Sequence, residues 1–236
     1  MNRVFHGTCV LVVALVALGG CGRGEQGAQS KRSTSKAVAY KSADQPRNVL
    51  ENMVTALLAE DRDTYMACFT GSAQELQVPV VLFDFSVAGA AFRADFIRAY
   101  GKAGWDKFQS ESPGEANARL ELPDGSLLAE LDKATVTING NSASMTVPQE
   151  SKSVEFVKQA DGWRINACCL VPSGAEPDTQ TRMMRSMIRT ITKYRKAIGH
   201  KGISGEDIDY ELGREIVSQI RGGTINAPHR FDIDKL

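Results

Sequence analysis

Between Ala134 and Val147 apolar residues occupy every second position: Ala134, Val136 and Ile138, then, after Asn139-Gly140, Ala143, Met145 and Val147. Period two on both sides of a turn predicts a β-hairpin. With a two-residue loop (Ile138 opposite Asn141) or a four-residue loop (Ile138 opposite Ala143), the apolar residues stay on one face. Val154 and Phe156 repeat the alternation, Asp161-Gly162 supplies a turn, and Trp163, Ile165 and Ala167 return along one face. The expected product is a four-stranded antiparallel meander with a single apolar face, which other elements have to cover.

Upstream the period changes to that of helices. Leu50, Met53, Val54, Leu57 and Leu58 recur at three and four residues after Pro46 and Asn48, which predicts an amphipathic helix of about three turns. The run Glu60-Asp61-Arg62-Asp63 interrupts it, and Asp63 is placed to cap a short helix carrying Tyr65, Met66 and Phe69. Ser72 and Glu75 have the spacing of a capping box. From Val80, the residues Phe85, Ala88, Phe92, Phe96 and Tyr100 keep helical spacing up to a C-capping Gly101. Arg119–Leu122 reads as an extra strand, and Leu127–Leu131 fits helix or strand. Beyond a hinge over residues 172–177, Met184, Met187, Ile188, Ile191, Tyr194 and Ile198 form one stripe of a helix ending near Gly199. Arg182, Arg185, Arg189, Lys193 and Lys196 form another. A second helix, capped by Ser204-Gly-Glu-Asp207, repeats Ile208, Leu212, Ile216 and Ile220 and ends at Gly222-Gly223. Its acidic start against the basic preceding helix favours a helical hairpin, and residues 226–236 read as a loose tail.

The N-terminus has a different character. Met1-Asn-Arg3 is followed by an unbroken apolar run from Cys9 to Leu18. That run is about half the ~20 residues of a spanning helix, so it reads as the core of a signal peptide. It closes on Leu18-Gly19-Gly20-Cys21, which resembles the lipobox of bacterial lipoproteins, where the cysteine is diacylated and becomes the mature N-terminus. The resemblance implies residues 1–20 as signal peptide, Cys21 as lipidation site, and residues 21–45 as a polar tether reaching about 25–30 Å. It further implies residence in the bacterial cell envelope, anchored to a membrane without spanning it. Gly22, where inner-membrane retention looks for Asp, points to the periplasmic side of the outer membrane.

A first helix, the acidic break in Ala56-Leu-Leu-Ala-Glu-Asp-Arg-Asp-Thr-Tyr65, and a meander closing on Asp161-Gly-Trp-Arg-Ile165 resemble the nuclear transport factor 2-like (cystatin-like) superfamily. The resemblance covers roughly Asn48 to Leu170. It implies an α+β fold in which helices pack on the concave face of a curved antiparallel sheet, here over residues 46–172, with a helical C-terminal extension over 173–236. Members of that superfamily include isomerases, dehydratases and hydrolases as well as proteins without activity, so the fold leaves function open.

Composition narrows the classes. Lys plus Arg and Asp plus Glu are equal at 28 each, which gives no global attraction to nucleic acid. Beyond the leader only His200 and His229 remain of the histidines, and no metal cluster, nucleophile–base pair or phosphate loop is visible; no metal and no cofactor are expected. Asp84, Asp95, Tyr65 and Tyr100 are the catalytic candidates of an enzyme reading, as a general base beside a phenol, against a plain role as solvated carboxylates and buried rings. The odd number of cysteines beyond the leader, Cys68, Cys168 and Cys169, argues against a disulfide framework; Cys169 shares strand parity with Trp163, Ile165 and Ala167, which aligns it with the core and leaves a single Cys68–Cys169 bridge open beside three separate thiols. The cations from Arg182 to Lys196 read as a partner or membrane-surface face, or as a solvated one. The leading expectation is a non-enzymatic, lipid-anchored envelope protein that binds a small ligand or protein partner, with a homodimer among the open arrangements. The alternatives are a small-molecule isomerase, dehydratase or hydrolase, and a structural module held on an envelope surface by its basic helix.

Overall fold

The computed structural model describes residues 38–111, 126–146, 153–221 and 228–236. The expected signal peptide, Cys21, most of the expected tether and the strand expected at Arg119–Leu122 lie outside them. The chain is α+β, with one five-stranded mixed sheet and helices, and divides into two compact units. The first comprises the described parts of Met1–Phe83 and Glu121–Ala175; the second comprises those of Asp84–Leu120 and Glu176–Leu236. Asp84 onward therefore groups with the C-terminal helices, so that unit is larger than an extension beginning at residue 173.

In the first unit, helix α1 (Pro46–Leu58) starts with proline at its first position, where a missing N–H costs nothing. It buries Val49, Leu50, Met53, Val54 and Leu57, while Leu58 is 44% exposed and falls outside the packed stripe. Helix α2 (Arg62–Ala67) is capped by Asp61, not Asp63: the Asp61 carboxylate accepts from the Thr64 N–H at 3.1 Å. The same carboxylate accepts from the Tyr40 hydroxyl at 2.7 Å and from the Thr64 hydroxyl at 2.8 Å. These hydrogen bonds, the Thr64 N–H foremost, hold it below the usual carboxylate range. A two-residue strand β1 (Phe69–Thr70) follows, then the expected capping box: Ser72 N–H donates to Glu75 Oε2 at 2.7 Å, and Glu75 N–H donates to Ser72 Oγ at 3.3 Å.

Helix α3 (Gln77–Glu111) runs through the boundary after Phe83 and is broken at Gly101, whose φ of 77° suits glycine. Gly101 ends one helical segment as the sequence predicts, but a second begins at once. Helix α4 (Ser126–Leu131) resolves the ambiguous segment as helix. Its last carbonyl is capped from α1: Arg47 donates to Leu131 O at 2.7 Å, and the same guanidinium donates to Ala134 O, just before the next strand, at 2.8 Å.

The meander is β2 (Thr135–Asn139), β3 (Ser142–Thr146), β4 (Ser153–Gln159) and β5 (Gly162–Asn166). Strand order is β1-β5-β4-β3-β2, with β1 parallel to β5 and every other neighbour antiparallel. Ile138 pairs Ala143 and Asn139 pairs Ser142, leaving Gly140-Asn141 as the loop, with Gly140 at φ 60°. At the second hairpin Gln159 pairs Gly162, so the turn is Ala160-Asp161, one residue earlier than Asp161-Gly162. Ala143, Met145, Val154, Phe156, Trp163 and Ile165 are buried and α1 packs on β3 and β5, but Ile138 on β2 is 57% exposed. Among the described residues the apolar face is thus covered over β3–β5 and exposed at its β2 end. Ala167–Leu170 is a 3-10 turn, which removes the strand parity that aligned Cys169 with the core.

In the second unit α3 from Asp84, α5 (Pro177–Arg195) and α6 (Gly205–Arg221) enclose their own core. Phe92, Phe96, Trp105 and Phe108 form an aromatic cluster with ring centroids 5.0–6.4 Å apart. Ile191, Tyr194, Ile208, Leu212 and Ile216 complete it, as the two apolar stripes require. The last residues are fastened down: Phe231 meets Tyr194 edge-on at 6.2 Å, and Phe231 and Ile233 pack on the core.

Candidate functional site

A surface cleft of about 350 Å3 opens in the second unit, within the usual range for small-molecule sites. Its floor is aromatic because α3 repeats large residues at helical spacing: Phe96, Tyr100 and, beyond the break at Gly101, Phe108. The facing wall is the first turn of α6, with Ser204, Gly205, Glu206, Asp209 and Tyr210, and Arg230 adds a cation from the chain's last residues. Gly205 lets the wall come close. A Cβ there would stand 2.9 Å from Phe96 Cζ, so any larger residue displaces the ring.

Ser204 and Asp207 fix the wall as a reciprocal cap. Ser204 N–H donates to Asp207 Oδ2 at 3.0 Å, and Asp207 N–H donates to Ser204 Oγ at 3.2 Å. Charges on the rim are paired. Lys107 Nζ lies 2.5 Å from Glu206 Oε1, and Arg230 Nη1 lies 3.3 Å from Asp207 Oδ1 with its guanidinium 4.3 Å over the Tyr210 ring. The hydrogen bond from Lys107 holds the Glu206 carboxyl below its ordinary range, and hydrogen bonds from Ser204 do the same for Asp207. Both acids are therefore ionised at neutral pH. The cleft offers aromatic faces to an apolar or planar body, with a cation and an anion at its edge; its lining serine hydroxyl, Ser204 Oγ, donates to Asp207 Oδ2 at 2.6 Å as part of the helix cap.

Beneath the same helix lies Glu211, fully buried. Its Oε1 accepts the Arg230 backbone N–H at 2.5 Å; its Oε2 lies 3.1 Å from Arg214 Nη2 and 3.0 Å from His229 Nδ1. The carboxylate thereby positions Arg230 at the cleft. Glu211 stands three residues after Ile208, on the edge of the apolar stripe, and that spacing was the available signal for its burial.

The catalytic candidates are divided between the two units. Tyr65 belongs to the first unit, where its ring is buried between Phe69 and Phe83 at 5.1 Å each and burial pushes its phenol well above the ordinary range. Asp84, half-buried, and Asp95 and Tyr100 belong to the second. Asp95 is held by Arg98 at 2.7 Å and Arg195 at 2.5 Å, tying α3 to α5. Tyr100 lines the cleft, but its hydroxyl donates to Ile203 O and accepts from Gly199 N–H, both at 3.1 Å, bracing the α5–α6 connection. Cys68, Cys168 and Cys169 are free thiols, with no bridge between Cys68 and Cys169. Cys68 Sγ contacts Thr64 O at 3.3 Å, and burial pushes the Cys68 and Cys169 thiols up to about 11. Arg182, Arg185, Arg189 and Lys196 are exposed along one side of α5, whereas Lys193 is half-buried and paired with Glu215 at 3.6 Å and Asp234 at 3.8 Å.

No group of three or more His, Cys, Asp or Glu among the described residues is placed to hold a metal ion. No helix among them is long and apolar enough to cross a membrane. No protein family, curated protein or solved structure matches this chain.

Proposed function

We propose that this protein is a lipid-anchored, non-enzymatic binding module of the bacterial cell envelope, whose first unit has a nuclear transport factor 2-like fold. The anchor rests on the lipobox-like Leu18-Gly19-Gly20-Cys21, and the fold on the α1–α2 pair followed by the meander. The observation that carries the binding reading is the cleft: aromatic floor, paired rim charges, and candidate general bases engaged in structural contacts elsewhere. The occupant that fits is a small molecule with a planar or apolar body and an ionic group at one end, packing on Tyr100 and Tyr210 and meeting Lys107 or Arg230. The full chain extracted in mild detergent is expected to retain such a molecule in native mass spectrometry, and Tyr210→Ala is expected to lose it. A Tyr210→Ala chain that keeps the same adduct would place the ligand elsewhere.

A second reading is favoured by α5, whose Arg182, Arg185 and Arg189 repeat at three and four residues on the side away from its buried face. A cation near an anionic lipid surface contributes about 1 kcal/mol, so this stripe would hold the body of the protein against a membrane already reached by the anchor. In protein prepared without its acyl chains, replacing Arg185, Arg189 and Lys193 with Gln is expected to weaken flotation with phosphatidylglycerol vesicles by about tenfold or more at low salt, for two or three lost contacts. Unchanged flotation would remove the surface-holding role; Lys193 is the least telling of the three, being already paired.

A further inference from the structure

Two rows of apolar side chains cross the sheet and end at β2. One runs Phe69, Ile165, Phe156, Ala143, Ile138 through successive cross-strand pairs, and the other runs Val154, Met145, Val136. Every member is buried except the two on β2: Val136 is half-buried and Ile138 is 57% exposed. β2 is also the outer strand of the sheet among the described residues, and none of those pairs with its far side.

Native sheets usually protect such an edge with a lysine, a proline or a very short strand. β2 has none of these: Thr135-Val-Thr-Ile-Asn139 carries no charge and no proline, and its five residues all pair with β3. The register shows which backbone groups are available. Asn139 and Ser142 close a two-residue hairpin, so they form a hydrogen-bonded pair, as do Thr137 with Ser144 and Thr135 with Thr146. The N–H and C=O groups of Val136 and Ile138 therefore point outward.

We propose that β2 is a self-association edge, and that its occupant is β2 of a second copy of this chain, running antiparallel about a two-fold axis at Thr137. The sequence is self-complementary in that register. Val136 of each copy faces Ile138 of the other, and each such pair exchanges two backbone hydrogen bonds, four in all. Side chains agree with backbone. Ile138 of one copy continues its row into Val136 of the other, so both open rows are extended and the exposed Ile138 is covered on each side. The two Thr137 side chains meet on the opposite face as a non-hydrogen-bonded pair, with Cα atoms about 4.5 Å apart. An isologous contact of this kind closes on itself and stops at two copies.

That spacing makes the test. Thr137→Cys in the full chain, kept at its membrane in mild oxidant, is expected to give a disulfide-linked species of twice the chain mass, because 4.5 Å falls within disulfide reach. Thr135→Cys, which would face Asn139 of the other copy, serves as control for the native cysteines; the Thr137→Cys yield should exceed it by about tenfold or more, on the order of the gain from one correctly placed contact. Adding Ile138→Lys to Thr137→Cys puts a charge at the end of each row and should abolish the excess, with circular dichroism confirming an intact sheet. Equal yields from the two cysteine positions would overturn the proposal, as would a cross-linked species of any other mass, which would assign the edge to a different protein.

Discussion

Glu211→Ala is expected to destabilise the second unit by about 3–5 kcal/mol, the usual cost of removing one partner from a buried ion pair. The carboxylate is fully buried and serves three groups at once: the Arg214 guanidinium, the His229 ring and the Arg230 backbone N–H. Taking it away leaves Arg214, whose side chain is only 12% exposed, beside an empty space, and strips a backbone donor of its acceptor. The net value of the pair is smaller, because burying both charges carries its own desolvation cost; the large number belongs to breaking it. Glu211→Gln keeps an oxygen for the Arg230 N–H and should cost less. Denaturant unfolding reads the stability, and hydrogen exchange at residues 230–236 reads the release of the tail. Unchanged exchange there, with unchanged unfolding, would mean that Glu211 holds neither.

Phe156→Ala is expected to cost about 3–5 kcal/mol in the first unit, the range for deleting a fully buried aromatic ring. Phe156 is 1% exposed and sits mid-row between Ala143 and Ile165, where the small Ala143 on one side cannot move in to fill the space. Leu58→Ala is the contrast. Leu58 keeps the helical spacing of the α1 core but is 44% exposed, and its truncation should fall within about 0.5 kcal/mol, as for other surface changes. Equal losses at the two positions would mean that α1 is rotated from the orientation described.

The comparison of Phe156 with Leu58 also shows which parts of the fold could be read from the chain. The meander was legible because alternation and turn residues are local: Asn139-Gly140 and Asp161-Gly162 punctuate runs of period two, and the turns fall within one residue of them. Helices α1, α5 and α6 were legible from stripes at three and four. Local signals also set the limits. Asp61 and Asp63 flank the same helix start, and only the position of the Thr64 N–H selects Asp61. β1 is two residues long and pairs in parallel with a strand almost a hundred residues on, so nothing in Phe69-Thr70 announces it.

The candidate site was less legible for the same reason. Asp95 reads as an unattached carboxylate until Arg195, a hundred residues away, is brought beside it. Tyr100 reads as a phenol available for chemistry until its hydroxyl is found bridging Ile203 and Gly199. Lys107, Glu206, Tyr210 and Arg230 carry no motif, and they form a cleft only because α3 breaks at Gly101 and Gly205 lets Phe96 approach. The basic stripe of α5 is the opposite case: an exposed face needs no partner to be read, and Arg182, Arg185 and Arg189 are where helical spacing puts them.

Native mass spectrometry of the full chain, extracted in mild detergent and measured with and without collisional activation, tests the proposed binding module most directly. The expected spectrum has a chain that begins at Cys21 and carries covalent acyl mass, together with a small non-covalent adduct that leaves on activation. A chain that still includes residues 1–20, has no acyl mass and holds no adduct would contradict both the anchor and the ligand.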